Sequence, residues 1–236
     1  MPAMACELQG LLGMTRQSPA FDVNAACGGF IYGINIIEQY YKAGTVSNVL
    51  LVCVERMSRV MNWKDRSTCV LFGDGASAVV LGEGQGQGLI SSHIHSAGQY
   101  RDHLFVESNL PPEPFDGKAP QAQLAMQGSA VFKKAVSMLS EIVHEVLEAN
   151  SVDKKDIDWL VPHQANYRIL QATAKKFGLP IEKVILTLER HGNTSAASVP
   201  LALDTAIKDG RIKRGQLLVL EAFGAGFVWG SALIRY

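Results

Sequence analysis

Two spacings of apolar positions alternate along the chain. Helical periodicity marks MACELQGLLGM near the start, and again GGFIYGINIIEQYYKAG, where Phe30, Ile34, Ile37 and Tyr41 share a face and Gly44 supplies a stop. GSAVFKKAVSMLSEIVHEVLEAN is the clearest amphipathic helix, and YRILQATAKKFG and VPLALDTAIKDG are two more. Between them lie strand-like segments: a short AFDVNAA, the continuous apolar run NVLLVCVE, LISSHIHSAG, DIDWLVPHQAN and EKVILTL. The unbroken run predicts a strand buried on both faces. TCVLFGDGASAVVLGEG reads as two strands around a glycine turn, and QLLVLEAFGAGFVWGSALIRY as a glycine-turned strand pair. GEGQGQG is a hinge or an exposed hairpin, RHGNTSAAS a loop, and the proline-bearing stretch from Tyr100 to Ala125 a long surface loop.

This alternation predicts a layered α/β fold. One order of elements occurs twice: helix, strand, polar residue at a strand end, helix, glycine-turned strands. The echo suggests a duplication, dividing the chain into a first half over 1–88 and a second over 89–236. The first copy begins part-way into a helix, without the strand that should precede it.

Composition narrows the classes. With 236 residues, 47% hydrophobic and 19% charged, the chain can bury a large core, which excludes intrinsic disorder. Lys+Arg and Asp+Glu are both 22, so no basic excess exists to neutralise nucleic acid. No apolar run reaches the roughly 18 residues of a membrane span, and the start has no basic leader. Four cysteines (Cys6, Cys27, Cys53, Cys69) are too few for a disulfide scaffold and lack metal-ligand spacing. The expectation is a soluble cytoplasmic protein with no metal.

Several patterns imitate chemistry. GDGASA fits a dinucleotide fingerprint, but AVVLG continues it as strand where a helix is required. His144-Glu145 lacks the second histidine of a zinc helix, and His93 with His95 lacks a third ligand. Asn193-Thr194-Ser195 is a glycosylation sequon in a chain with no secretory signal.

Cys27 in AACGGF, His163 in VPHQAN and Asn193 in HGNTSAAS all stand where strands end among glycine and small residues. Cys27 precedes a helix, whose dipole should favour thiolate. Cys53 and Cys69, inside apolar strands, and Cys6, in a helix, read as small buried hydrophobes. Cysteine, histidine and asparagine in one cleft support two chemistries. In a thiol hydrolase, histidine takes the thiol proton and asparagine orients histidine. In a decarboxylating condensing enzyme, both aim N–H groups at a thioester oxygen. The order of the three does not choose between these.

The stretches FDVNAACGGFIYG, FGDGASAVVL, WLVPHQANYRI, RHGNTSAASVP and EAFGAGFVWGSALIRY resemble β-ketoacyl-acyl-carrier-protein synthase III enzymes. The resemblance implies a thiolase-like five-layered α-β-α-β-α sandwich of two duplicated halves, working as a homodimer. About the first quarter of the family's chain is lacking, so the first half is N-terminally truncated. NVLLVCVE should then lose neighbours, and the chain alone should be poorly stable. The implied nucleophile is Cys27, which takes an acyl group, usually acetyl, from an acyl-CoA. His163 and Asn193 would promote decarboxylation of malonyl-acyl carrier protein. Backbone N–H groups of Cys27 and Ala225 would form the oxyanion hole, with Ala225, glycine in many relatives, at a glycine-like φ. Arg66, Gly128, Phe132 and Asn166 match positions that meet CoA and pantetheine. Lys133, Arg168, Lys175 and Lys176 would face the acidic carrier protein. The coenzyme A thioester is a substrate, and no redox cofactor or metal is implied. Three alternatives stay open: the same chemistry on another primer or acceptor, a noncatalytic fragment that binds carrier protein or a partner subunit, and a thiol hydrolase.

Overall fold

A computed structural model describes residues 2–82, 84, 88–107 and 123–236. Its centre is a four-stranded sheet in the order β3 (Gly88–Ser96), β8 (Val228–Arg235), β7 (Leu217–Gly224), β6 (Trp159–Pro162). The β3–β8 and β8–β7 pairs are antiparallel, and β7–β6 is parallel, with Leu160 opposite Val219 and Pro162 opposite Glu221. Every residue of β7 is buried, which is why LLVLEAFG is almost wholly apolar. Its side chains alternate between two cores as the pleat requires. Leu218, Leu220 and Ala222 join one core with Phe30, Ile31, Val199 and Ala202, while Leu217 and Val219 join another with Val143, Val146 and Phe177.

Those partners come from helices on opposite faces. α2 (Gly29–Lys42) and α6 (Ser198–Lys208) lie between the four-stranded sheet and a two-stranded one, formed by β1 (Asn48–Glu55) and β2 (Gly75–Gly82). α3 (Gly128–Ala149) and α4 (Tyr167–Phe177) cover the far face. The described residues therefore stack as β-α-β-α, four of the five layers expected. No helix covers the outer face of β1–β2 among the described residues, and Val54 and Val80 are 54% and 72% exposed there.

This corrects the reading of NVLLVCVE. β1 pairs only with β2 among the described residues, and Cys53 is its sole buried residue. Leu51 and Cys53 pack toward α2, whereas Val54 faces solvent. Among the described residues, no helix is long and apolar enough to cross a membrane.

Other differences have local causes. Residues 20–25 form no strand and join no ladder; there Asp22 serves α1 (Met4–Leu11), its carboxylate accepting the Met4 and Ala5 N–H groups at 2.9 Å. Of the two strands expected in 68–84 only β2 forms. Ahead of it the Asp65 carboxylate accepts from Ser67 N and Thr68 Oγ1, folding the segment into a turn that carries Cys69. EKVILTL makes a single bridge, Leu160 to Val184, before the short α5 (Leu188–His191). Its Ile185 carbonyl and Thr187 N–H, which a neighbouring strand would use, are taken by the Gln164 side chain at 3.0 and 2.9 Å. The stretch read as a long loop holds a hairpin stem, β4 (Leu104–Glu107) against β5 (Gln123–Met126). Its prolines, and most of GEGQGQG, lie outside the described residues. GASAVVLG runs through as β2, with no helix at the glycines, and His93 and His95 each hydrogen bond one oxygen of Glu145, at 2.8 and 2.7 Å.

Candidate active site

Cys27 sits in a 3-10 turn, Ala26–Gly28, directly ahead of α2. Gly28 N donates to the Ala25 carbonyl at 2.9 Å, and Ala26 adopts a left-handed φ of 44°. The turn lies against the end of β7. A Cβ placed on Gly224 would stand 2.8 Å from Cys27 N and 2.9 Å from Gly28 N, so only glycine lets the two backbones meet.

The thiol is buried, and burial pushes it up to about 11; a hydrogen bond with Ser195 pulls the other way, and the charge of Glu55 adds to the rise. This overturns the expectation of a resting thiolate. α2 begins at Gly29, and desolvation outweighs what its N-terminus supplies. Cys53 is buried and pushed up to about 12, as a packed thiol should be. Cys6, expected to be buried, is exposed, because α1 has no buried residue.

His163 follows β6 and extends its register, its N–H reaching the Glu221 carbonyl at 2.8 Å. The ring is buried and its Nδ1 has no hydrogen-bond partner among the described residues. Burial lowers it to about 4, so at neutral pH it is an uncharged imidazole. Gln164 anchors this loop: its N–H donates to Ser198 Oγ at 2.7 Å, and its Nε2 donates to the Pro162 carbonyl at 2.9 Å.

Under the loop, both carboxyl oxygens of Glu221 are buried without a partner among the described residues, and burial raises the group to about 8. Folded Glu221 therefore keeps its proton over a range where the unfolded chain, near 4.5, has lost it. Its contribution to stability is complete below about 4.5 and fades as pH rises to about 8. His163 acts oppositely: its contribution is complete above about 6.5 and fades as pH falls toward 4. The melting temperature of the unaltered chain should thus decline between pH 6 and 8.5, and Glu221→Gln should flatten that decline. Thermal melts across this range check it, and an identical slope in the variant would clear Glu221.

Asn193 is pinned through its backbone, its N–H on the Leu71 carbonyl and its carbonyl accepting Gly73 N, both at 2.9 Å. Its Oδ1 accepts Ser195 N at 2.9 Å, and no hydrogen bond engages the amide Nδ2 among the described residues. The Cys27 turn thus abuts the end of β7 at Gly224, His163 extends β6 beside the same strand, and Asn193 stands just ahead of the Ser195–Ala197 turn, which packs against the Cys27 turn.

Ala225 lies in the β7–β8 turn without the expected glycine-like φ; Gly226 takes the positive angle, 137°. One apolar cluster gathers the neighbouring elements: Met61, Leu124, Val131, Ile169, Phe223 and Phe227, with Phe132, Ala165 and Ala225 packed against it. Gly128 and Lys133 line a cavity of about 540 Å³ together with His103, Gln127 and Lys134. Asn166 caps α4, its Oδ1 accepting Arg168 N at 2.8 Å. Arg66, Arg168, Lys175 and Lys176 are exposed, and Lys176 Nζ donates to Ser137 Oγ of α3 at 2.9 Å. Arg66 does not line the cavity. Sequence reasoning missed Glu55, Gln164 and Ser195, although the last two stand inside the motifs that were singled out.

A cysteine-bearing turn wedged between the central strand of one sheet and a helix buried between two sheets defines a thiolase-like α/β protein. Residues 21–98 match the family model for 3-oxoacyl-[acyl-carrier-protein] synthase III, and residues 147–236 match the model for its C-terminal part. A beta-ketoacyl-[acyl-carrier-protein] synthase III from Alkalilimnicola ehrlichii is 56% identical over 100% of this chain and 73% of its own length. Crystal structures of the 3-oxoacyl-[acyl-carrier-protein] synthase III enzymes of Aquifex aeolicus and Pseudomonas aeruginosa are each 39% identical. They superpose over 100% of this chain, and 73% and 72% of theirs, with TM-scores of 0.90 and 0.91. The chain belongs to the beta-ketoacyl-[acyl-carrier-protein] synthase III family.

Proposed function

We propose that this chain joins an acyl-CoA primer, acetyl-CoA in the first instance, to malonyl-acyl carrier protein, yielding the 3-oxoacyl carrier protein that begins fatty-acid synthesis. The Cys27 thiol attacks the primer carbonyl, its proton passing to the departing sulfur so that coenzyme A leaves as the free thiol, with the Cys27 and Ala225 N–H groups receiving the oxyanion. Malonyl-carrier protein then enters, and its thioester oxygen accepts hydrogen bonds from His163 and Asn193. Carbon dioxide departs, the carbanion attacks the acyl-cysteine, and Cys27 leaves as thiolate. No metal or redox cofactor has a step to perform.

The observation that carries this reading is the state of the two donors. Asn193 Oδ1 accepts Ser195 N, and among the described residues no hydrogen bond joins it to the histidine, the contact a thiol hydrolase requires. His163 is neutral and buried, suited to donating one N–H. Phe132 and Asn166 frame the route for pantetheine, with Gly128 at its edge, and Arg66 serves the adenine end of CoA. Lys133, Arg168, Lys175 and Lys176 form a basic strip for the acidic carrier protein, an attraction that salt screens. The working unit is a homodimer, and the four free cysteines suit a reducing cytoplasm.

Mixing the protein with acetyl-CoA and weighing it intact tests the first half-reaction. One acetyl group should appear, map to Cys27 and be absent in Cys27→Ala. A folded sample that gains none would end the proposal.

A further inference from the structure

Gln164 directly follows His163 and is buried, and all of its side-chain hydrogen bonds go to backbone. Its Nε2 donates to the Pro162 and Ile185 carbonyls at 2.9 and 3.0 Å, and its Oε1 accepts Thr187 N at 2.9 Å. Its own N–H donates to Ser198 Oγ at 2.7 Å. A carboxamide carries two N–H donors at one end and an acceptor at the other. Here the donors meet carbonyls and the acceptor meets an N–H, a pattern that neither a carboxylate nor an apolar side chain of similar size can reproduce.

Thr187 and Ser198 bracket Asn193. From Thr187 the chain enters α5, closed by Arg190 N on the Thr187 carbonyl at 3.0 Å and by Gly192 N on the Leu188 carbonyl at 2.9 Å. Past Asn193 comes the Ser195–Ala197 turn, with Ala197 N on the Thr194 carbonyl at 3.1 Å, and Ser198 then opens α6. Both runs are shortened by their own backbone hydrogen bonds, so a shift at either tie is passed on to Asn193. Backbone pairing between β6 and this segment stops with Ile185 N on the Leu160 carbonyl at 2.8 Å; beyond that point the Gln164 side chain makes the connection.

We propose that Gln164 is a positioning residue for the condensation step: it sets the spacing between the His163 ring and the Asn193 carboxamide, so that both donors reach one thioester oxygen. The inference deepens the condensing-enzyme reading and rests on it for the roles of those two donors. In that scheme acyl transfer to Cys27 uses backbone N–H groups and does not depend on this spacing. Loss of the Gln164 side chain should therefore separate the two half-reactions, which a general loss of stability would lower together.

Gln164→Met keeps the approximate volume and removes the three side-chain hydrogen bonds, while Ser198→Ala removes only the tie to α6. Acetylation of Cys27 is followed by intact mass, condensation by product formed from malonyl-carrier protein, and folding by circular dichroism melts. In Gln164→Met acetylation should stay within about twofold while condensation falls by about 10²-fold, the scale of a misplacement near 1 Å. Ser198→Ala should shift the same balance by less, and it carries the test if Gln164→Met does not fold. In an Asn193→Ala background the Gln164→Met penalty should shrink, because a donor already absent cannot be misplaced. Equal losses in both half-reactions, or an undiminished penalty without Asn193, would overturn the proposal. A second readout needs no turnover: the His163 ring, lowered to about 4 by burial, should titrate higher by NMR once the unpaired backbone groups draw water into the loop. An unmoved ring in a folded variant would also overturn the proposal. Should the unaltered protein form no condensation product, the condensing reading fails, and the ring titration still decides whether Gln164 places the imidazole.

Discussion

His163→Ala and Asn193→Ala should each leave Cys27 able to take an acetyl group while condensation with malonyl-carrier protein falls by about 10²–10³-fold, the usual effect of deleting one oxyanion donor. The separation follows from where the groups stand. In the proposed scheme the acyl-transfer oxyanion is received by the backbone N–H groups of Cys27 and Ala225, which neither substitution removes. The enolate oxygen of the second half-reaction depends on the side chains. Because His163 is uncharged when folded, its part is a hydrogen bond and not an ion pair, so the deficit should vary little between pH 6 and 8. Acetylation by intact mass, set beside product formation, measures both halves. Equal loss of both would mean that the imidazole also serves the acyl transfer.

Gly224→Ala should cost the chain both stability and acyl transfer to Cys27. The added methyl carbon would sit 2.8 Å from Cys27 N, 2.9 Å from Gly28 N and 3.3 Å from Cys27 Cα, all backbone atoms with no rotamer to change. Either β7 or the nucleophile turn must move, and both are packed on every side. Overpacking of this kind costs about 3 kcal/mol, and displacing the Cys27 N–H spoils the oxyanion hole as well. Urea unfolding together with the acetyl-CoA reaction would show both losses. Gly98→Ala is the control, since nothing lies within 4 Å of its added carbon. A Gly224→Ala protein as stable and reactive as the original would refute the close approach.

What could be read from the residues was what local spacing writes. α3 was visible end to end because its apolar stripe persists over 22 residues, and β7–β8 because an apolar strand, a glycine turn and a second strand follow without interruption. Cys27, His163 and Asn193 stood out because a polar residue at a strand end among small neighbours has few structural uses. What failed depended on partners distant in sequence. NVLLVCVE has the same letters whether one face or both are covered, so nothing local reveals that Val54 is open. EKVILTL has strand propensity, but the Gln164 carboxamide took its hydrogen bonds. The charge of the nucleophile was misjudged because a dipole can be inferred from a helix start, whereas the desolvation that outweighs it exists only after β7 and the Ser195 turn close over the sulfur. Glu55 lay beyond reach for the same reason.

The Gln164 clasp has a consequence for anyone redesigning this catalyst. One carboxamide joins the loop bearing His163 to the 185–187 segment that leads toward Asn193, while the backbone of the same residue is tied to the first turn of α6. The imidazole and the amide are thereby mounted on a common frame and cannot be retuned one at a time.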